Sequence, residues 1–154
     1  MSIYFTDSSA VVKRYLRETG SGWVQGLFAS ALPNEFYAVA TVGVEVVAAI
    51  TRRVRGGTIS QADAVAFCAL FLSDLGTDYG VIPVSDTLLR EAIRLAQLYG
   101  LRGYDAIQLA AANQISRLRV TTATTPLIFV SADKELNAAA SGEGLAVADP
   151  NAHL

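Results

Sequence analysis

The sequence predicts an α/β domain of three layers, with helices on both faces of a central, mostly parallel sheet. Three observations carry that expectation. Short apolar strand candidates alternate with longer segments of helical periodicity, and those strand candidates lack a polar face, as strands buried on both sides do. The length, 154 residues, suits one compact domain and leaves no room for a second catalytic unit, so residues 1–154 are expected to form a single domain.

Residues 2–6 read as the first strand, followed by Asp7-Ser8-Ser9, which supplies the candidate helix caps. Val11, Val12, Tyr15 and Leu16 give residues 10–18 a helical period that Gly20 ends. A short helix around residues 23–28 and an extended stretch near 36–40 come next. Residues 42–54 form a helix with Thr41 as its cap, Glu45 in its first turns and Gly56-Gly57 as its close. Ser60 and Asp63 make a near capping box that opens a long helix to about Asp78.

Residues 81–84 read as a strand, with Pro83 tolerable only at an end, a bulge or an edge. Ser85 caps the next helix, whose apolar positions Leu88, Leu89, Ala92, Leu95 and Ala96 stop at Gly100. Residues 101–104 are a turn, after which Asp105 opens an apolar helix over 106–118; residues 121–125 are a loop. Residues 127–130 form another apolar strand ending at Ser131-Ala132-Asp133, with Ser131 the natural cap for a helix over 134–140. Residues 144–148 are a last short strand. In such folds sites form beyond the carboxyl ends of the strands, which is where Asp7 and Asp133 fall.

Composition narrows the chemistry. The chain is 52% hydrophobic and 17% charged, so helix faces turned away from the sheet are expected to meet another subunit, giving a homodimer. A net charge of -2 argues against a basic surface that traps polyanions unspecifically. Lys13, Arg14 and Arg17, and again Arg52, Arg53 and Arg55, form local basic runs that could flank a phosphate path, although each alone reads first as a solvated helix face. The single cysteine, Cys68, can form no intrachain disulfide or thiolate cluster and reads as a small core residue. The single histidine, His153, is penultimate, which argues against histidine catalysis and a Cys/His zinc site. With no basic leader and no apolar run able to span a bilayer, the cytoplasm is the expected location.

Four acidic residues stand out. Asp7 and Asp133 each precede a helix and can act as caps, but both lie at strand ends. Glu45 interrupts Val42-Gly43-Val44-Glu45-Val46-Val47-Ala48-Ala49-Ile50, a helix apolar on nearly every side, where an uncompensated buried carboxylate costs on the order of a few kcal/mol. Asp105 does the same in Tyr104-Asp105-Ala106-Ile107-Gln108-Leu109-Ala110, with only a favourable helix N-terminus, worth roughly 0.3 to 1 kcal/mol, as its structural reason. Brought together, such carboxylates raise one another's pKa unless a cation neutralises them. Magnesium and manganese prefer hard oxygen donors of this kind, and with no histidine, thiolate or glycine-rich phosphate loop, metal-assisted hydrolysis is the coherent chemistry.

These segments, with Ile3-Tyr4-Phe5-Thr6-Asp7-Ser8-Ser9 and Phe129-Val130-Ser131-Ala132-Asp133-Lys134-Glu135-Leu136, resemble the PIN-domain nucleases, especially the VapC-type toxins of toxin–antitoxin pairs. The resemblance runs through almost the whole chain. It implies a PIN-like fold and a Mg²⁺- or Mn²⁺-dependent endoribonuclease, with one or two ions held among Asp7, Glu45, Asp105 and Asp133. Asp7 and Asp105 are the foremost direct ligands, Glu45 binds metal or orients water, and Asp133 acts through water or holds a second ion. Ser9 and Ser131 match the family's small polar residues beside the first and last aspartates. No hydroxyl stands directly before Glu45, where Thr41 is the nearest substitute. The resemblance further implies an RNA substrate and a cognate antitoxin that binds the groove between the N-terminal helices and the active-site face, presenting a basic side chain to the carboxylates.

Rival readings are a housekeeping RNA-processing nuclease of the same fold, an aspartyl-phosphate phosphatase with Asp7 as nucleophile, and a non-catalytic binding module. Ser9 stands where the phosphatase needs its second aspartate, and a binding module leaves Glu45 and Asp105 unexplained.

Overall fold

A computed structural model describes residues 1–120 and 125–153. Five strands, β1 (Ile3–Thr6), β2 (Glu35–Val39), β3 (Tyr79–Ile82), β4 (Leu127–Val130) and β5 (Ala146–Ala148), form one sheet in the order β3-β2-β1-β4-β5. Every pairing is parallel; Phe5 lies opposite Tyr37 on one side and Phe129 on the other. The chain leaves β1 in one direction to build β2 and β3 and later returns on its other side for β4 and β5. That reversal opens a crevice between the carboxyl ends of β1 and β4.

Side-chain alternation along the strands divides the core in two. Ile3, Phe5, Leu127 and Phe129 pack beneath α5 (Asp86–Tyr99), α6 (Gly103–Val120) and α7 (Lys134–Gly142). Tyr4, Phe36, Tyr79 and Val130 pack beneath α1 (Ser8–Tyr15), α3 (Val42–Arg55) and α4 (Gln61–Thr77), with α2 (Ser21–Ala29) completing that layer through Val24, Leu27 and Phe28. The expected three-layer α/β fold is therefore the observed one, with all strand pairs parallel.

Several boundaries differ from expectation for identifiable reasons. Of the three candidate caps Asp7 is the one that caps α1, accepting the Ala10 N–H. The helix ends at Tyr15, because Leu16 turns extended and the Ser21 hydroxyl binds the Leu16 carbonyl and the Glu18 N–H, winding residues 16–21 into a side-chain-stapled turn. Gly20 closes that turn at φ +82 and precedes α2. β3 starts two residues early, at Tyr79, and stops before Pro83, which has no N–H for a ladder. α6 begins at Gly103, so Asp105 lies within its first turn, not before it. Asp133 itself, not Ser131, caps α7 by accepting the Glu135 and Leu136 N–H groups. Thr41 precedes α3, yet its hydroxyl makes no cap bond and is buried without a partner among the described residues. The loop expected at 121–125 lies, apart from Thr125, outside the described residues.

Gly20 and Gly22 provide an internal contrast. A Cβ at Gly20 would sit 2.3 Å from the Pro150 carbonyl oxygen on a left-handed backbone, whereas one at Gly22 meets nothing within 4 Å. Gly20→Ala is expected to lower unfolding free energy by about 1–2 kcal/mol or more, and Gly22→Ala to raise it by up to about 1 kcal/mol. Urea unfolding of the two variants checks this; equal effects would contradict it.

Candidate active site

Each of the four acidic residues comes from a different element, and all four line one cleft of about 470 Å³. Asp7 follows β1, and its N–H donates to the Val130 carbonyl at 3.1 Å, extending the β1–β4 ladder by one step into the crevice. Only 2% exposed, Asp7 is the buried floor of the site. Its Oδ1 accepts from the Ser9 hydroxyl at 2.7 Å and the Ala10 N–H at 3.1 Å; its Oδ2 accepts from the Ser131 hydroxyl at 3.1 Å.

Those two serines also take bonds from the backbone of the turn after β4. The Ser9 hydroxyl accepts the Ala132 N–H at 2.9 Å and the Ser131 hydroxyl accepts the Asp133 N–H at 3.1 Å. Asp7 is thus locked, through two hydroxyls, to the turn that carries Asp133. The supporting roles expected of Ser9 and Ser131 have a geometric counterpart in these bonds.

Glu45 is half-buried on α3. Its Oε2 accepts from the Ser8 hydroxyl at 2.7 Å and its Oε1 from the Gln108 side-chain amide at 2.9 Å. Those bonds answer how an apolar helix can hold a carboxylate: its partners arrive from α1 and α6. Gln108 is fully buried, and its own Oε1 has no hydrogen-bond partner among the described residues. One turn along α3, Ala48 and Ala49, and two turns along, Arg52, continue the cleft wall that Glu45 starts.

Asp105 and Asp133 meet at the mouth. Arg102 joins them, its Nε donating to Asp105 Oδ2 at 3.0 Å and its terminal nitrogen to Asp133 Oδ2 at 3.2 Å. Asp133 divides its work, with Oδ1 capping α7 and Oδ2 facing Arg102. Tyr104 and Val44, both exposed, flank the opening.

Ser8, Gln108 and Arg102 are site residues that sequence reasoning passes over. Gln108 carried a usable signal: it is a polar residue three positions after Asp105, on the same face of a helix otherwise lined by Ala, Ile and Leu. Arg102 stands at the same spacing on the other side of Asp105. Arg52, read first as part of a solvated run, lines the cleft.

Electrostatics set this cluster apart from the chain's other carboxylates. On the far layer Glu91 is bonded by Arg94, Arg117 and Asn113, which hold its carboxyl down at about 2 despite partial burial. Among the described residues no arginine bonds Asp7. Burial, with a smaller push from the nearby Glu45 charge, raises its carboxyl to about 7 against the pull of Ser9, the Ala10 N–H and Ser131. Burial also raises Asp105, opposed by Arg102 and reinforced by Asp133 and Glu135.

The donor set consists of hard carboxylate oxygens with hydroxyl and amide support, which fits Mg²⁺ or Mn²⁺ and not a soft ion. Among the described residues, no group of three or more His, Cys, Asp or Glu side chains is arranged to hold a metal ion as the side chains stand. Their oxygens are turned to serine, glutamine and arginine donors instead.

Asp7 makes the stability of the cation-free protein depend on pH. Unfolded, its carboxyl ionises near an ordinary value of about 3.9; folded, it keeps its proton to about 7. Below the first value both states are protonated and nothing is lost. Between them the unfolded chain ionises first, so stability falls as pH rises, and the loss is complete above the second. Without divalent ions, Asp7→Asn is expected to gain roughly 2–4 kcal/mol on wild type between about pH 4 and pH 8. Urea titrations across that range check the slope; a constant difference would contradict it.

Solved structures share this architecture. PAE2754 from Pyrobaculum aerophilum aligns with a TM-score of 0.64 at 20% identity, over 98% of this chain and 85% of that one. A toxin–antitoxin complex from Klebsiella pneumoniae aligns at 0.62 and 18%, over 97% and 98%. VapBC2 from Rickettsia felis, bound to a DNA fragment from its promoter, aligns at 0.59 and 13%, over 96% and 98%. No protein-family model matches the chain, and no curated protein matches it. What this chain has in common with these structures is the fold, a PIN-like three-layer α/β arrangement around a five-stranded parallel sheet.

Proposed function

We propose that this protein is a Mg²⁺- or Mn²⁺-dependent endoribonuclease, a single PIN-like nuclease domain that serves as the toxin of a toxin–antitoxin pair. The observation that carries this reading is the cleft itself: Asp7, Glu45, Asp105 and Asp133, from four elements, face one crevice at the carboxyl edge of the sheet. Those four carboxylates are the residues to hold one or two divalent ions. Such an ion, when bound, lowers the pKa of an attacking water and stabilises charge on the phosphate and leaving oxygen.

The remaining roles belong to the chain's own side chains. Ser9 and Ser131 fix the direction in which Asp7 presents its oxygens, and Ser8 and Gln108 do the same for Glu45. Arg52 stands on the cleft wall two turns from Glu45, where a guanidinium can grip a backbone phosphate. Tyr104 at the mouth offers an exposed ring on which an unpaired base can stack, which favours single-stranded RNA.

Likeness of fold to a toxin–antitoxin complex supports a cognate antitoxin that covers the cleft. Leu70 and Leu72 on α4 and Ile93 and Leu98 on α5 are exposed, and these faces supply apolar surface for a homodimer. Among the described residues no helix is long and apolar enough to cross a membrane, and the cytoplasm is the proposed site of action.

Cleavage of single-stranded RNA with and without Mg²⁺ or Mn²⁺ tests the reading. Asp7→Asn and Asp105→Asn are each expected to lose at least about 100-fold in rate, and Ser131→Ala about 10- to 100-fold. Adding the product of the adjacent gene should stop wild-type cleavage. Undiminished cleavage by the folded Asp7→Asn protein would overturn the mechanism.

A further inference from the structure

Arg102 makes an arrangement that a wall residue of an acidic cleft has no structural need to make. Its side chain is 80% exposed, yet its guanidinium reaches back over the mouth to bind Asp105 on α6 and Asp133 at the start of α7. Neither carboxylate depends on it for folding: Asp133 caps α7 through its other oxygen, and Asp105 sits in the favourable first turn of α6. Arginine carries its charge at every working pH, so it offsets one of the pair's two negative charges without taking up a proton. It draws together oxygens of two residues that, on the reading of the cleft proposed above, hold the divalent ion.

We propose that Arg102 is a tethered counter-cation, occupying the carboxylate oxygens of Asp105 and Asp133 until a divalent ion displaces it. The arrangement suits displacement. Ion pairs made by so exposed a side chain are weak and screened by salt, so a doubly charged ion with several oxygen donors can outcompete them. Arg102 would then reduce the net negative charge of the cation-free cleft and would raise the ion concentration needed to load it. Arg52 lines the same cleft and, among the described residues, pairs with no carboxylate, so it lacks this role.

Mn²⁺ titrations of the whole protein, followed by calorimetry or by loss of the free-ion resonance, test the proposal at low ionic strength. Because its side chain is exposed, Arg102→Gln should fold as wild type does. It is expected to bind Mn²⁺ about five-fold tighter or more, whereas Arg52→Gln, which removes the same charge from the same cleft, changes affinity less than about two-fold. Equal tightening in both variants would overturn the proposal, since general electrostatics would then suffice. So would unchanged or weaker binding by Arg102→Gln while Asp105→Asn abolishes binding, and in that case the metal centre itself would stand. If neither wild type nor Arg102→Gln binds Mn²⁺, both the proposal and the metal-centre reading fall.

Discussion

A carboxylate buried at the middle of a parallel sheet's carboxyl edge organises this molecule. Asp7 follows the central strand, continues its hydrogen bonding to β4 by one residue, caps α1, and binds hydroxyls from α1 and from the turn after β4. One side chain therefore ties together the central strand, the helix that follows it and the strand pairing on which the crevice depends. Because Ser9 and Ser131 are themselves held by the Ala132 and Asp133 N–H groups, moving Asp7 would also move the loop that presents Asp133.

Burial of this kind is unfavourable by itself. A carboxylate with three donors and no cation nearby remains costly when ionised, which is why the Asp7 carboxyl keeps its proton to about neutral pH. Glu91 shows that the same chain can stabilise a carboxylate fully, by surrounding it with arginines. The contrast separates a structural ion network from a site whose charge is left for something else to balance. At the mouth Arg102 supplies part of that balance; at the floor no cation among the described residues does.

Much of this arrangement is legible in the sequence, and the portion that is not has a common cause. Glu45 and Asp105 stand out because they interrupt apolar helices, and Asp7 and Asp133 because they follow buried strands. The alternation of apolar strands and helices is enough to reach the three-layer architecture. Pairings between distant segments are hidden: Ser8 with Glu45 is 37 residues apart, Gln108 with Glu45 is 63, and Arg102 with Asp133 is 31. The cap of α7 is misplaced for a related reason, since Ser131 looks like its cap until its hydroxyl is spent on Asp7 and the capping passes to Asp133 itself. At α1 the choice among Asp7, Ser8 and Ser9 is settled only by the bond between Ser9 and Asp7. The early end of α1 is of the same kind, because periodicity continues through Leu16 while the Ser21 hydroxyl, five residues on, turns the chain away.

The central claim is that the four carboxylates form a divalent-ion site, and the most direct test is crystallographic. Crystals grown with Mn²⁺ and measured at the manganese absorption edge are expected to show anomalous density in the cleft, within coordination distance of Asp7 and Asp105, with Arg102 withdrawn from Asp105 and Asp133. A cleft without anomalous density at saturating Mn²⁺, and with the Arg102 bridge intact, would contradict the account.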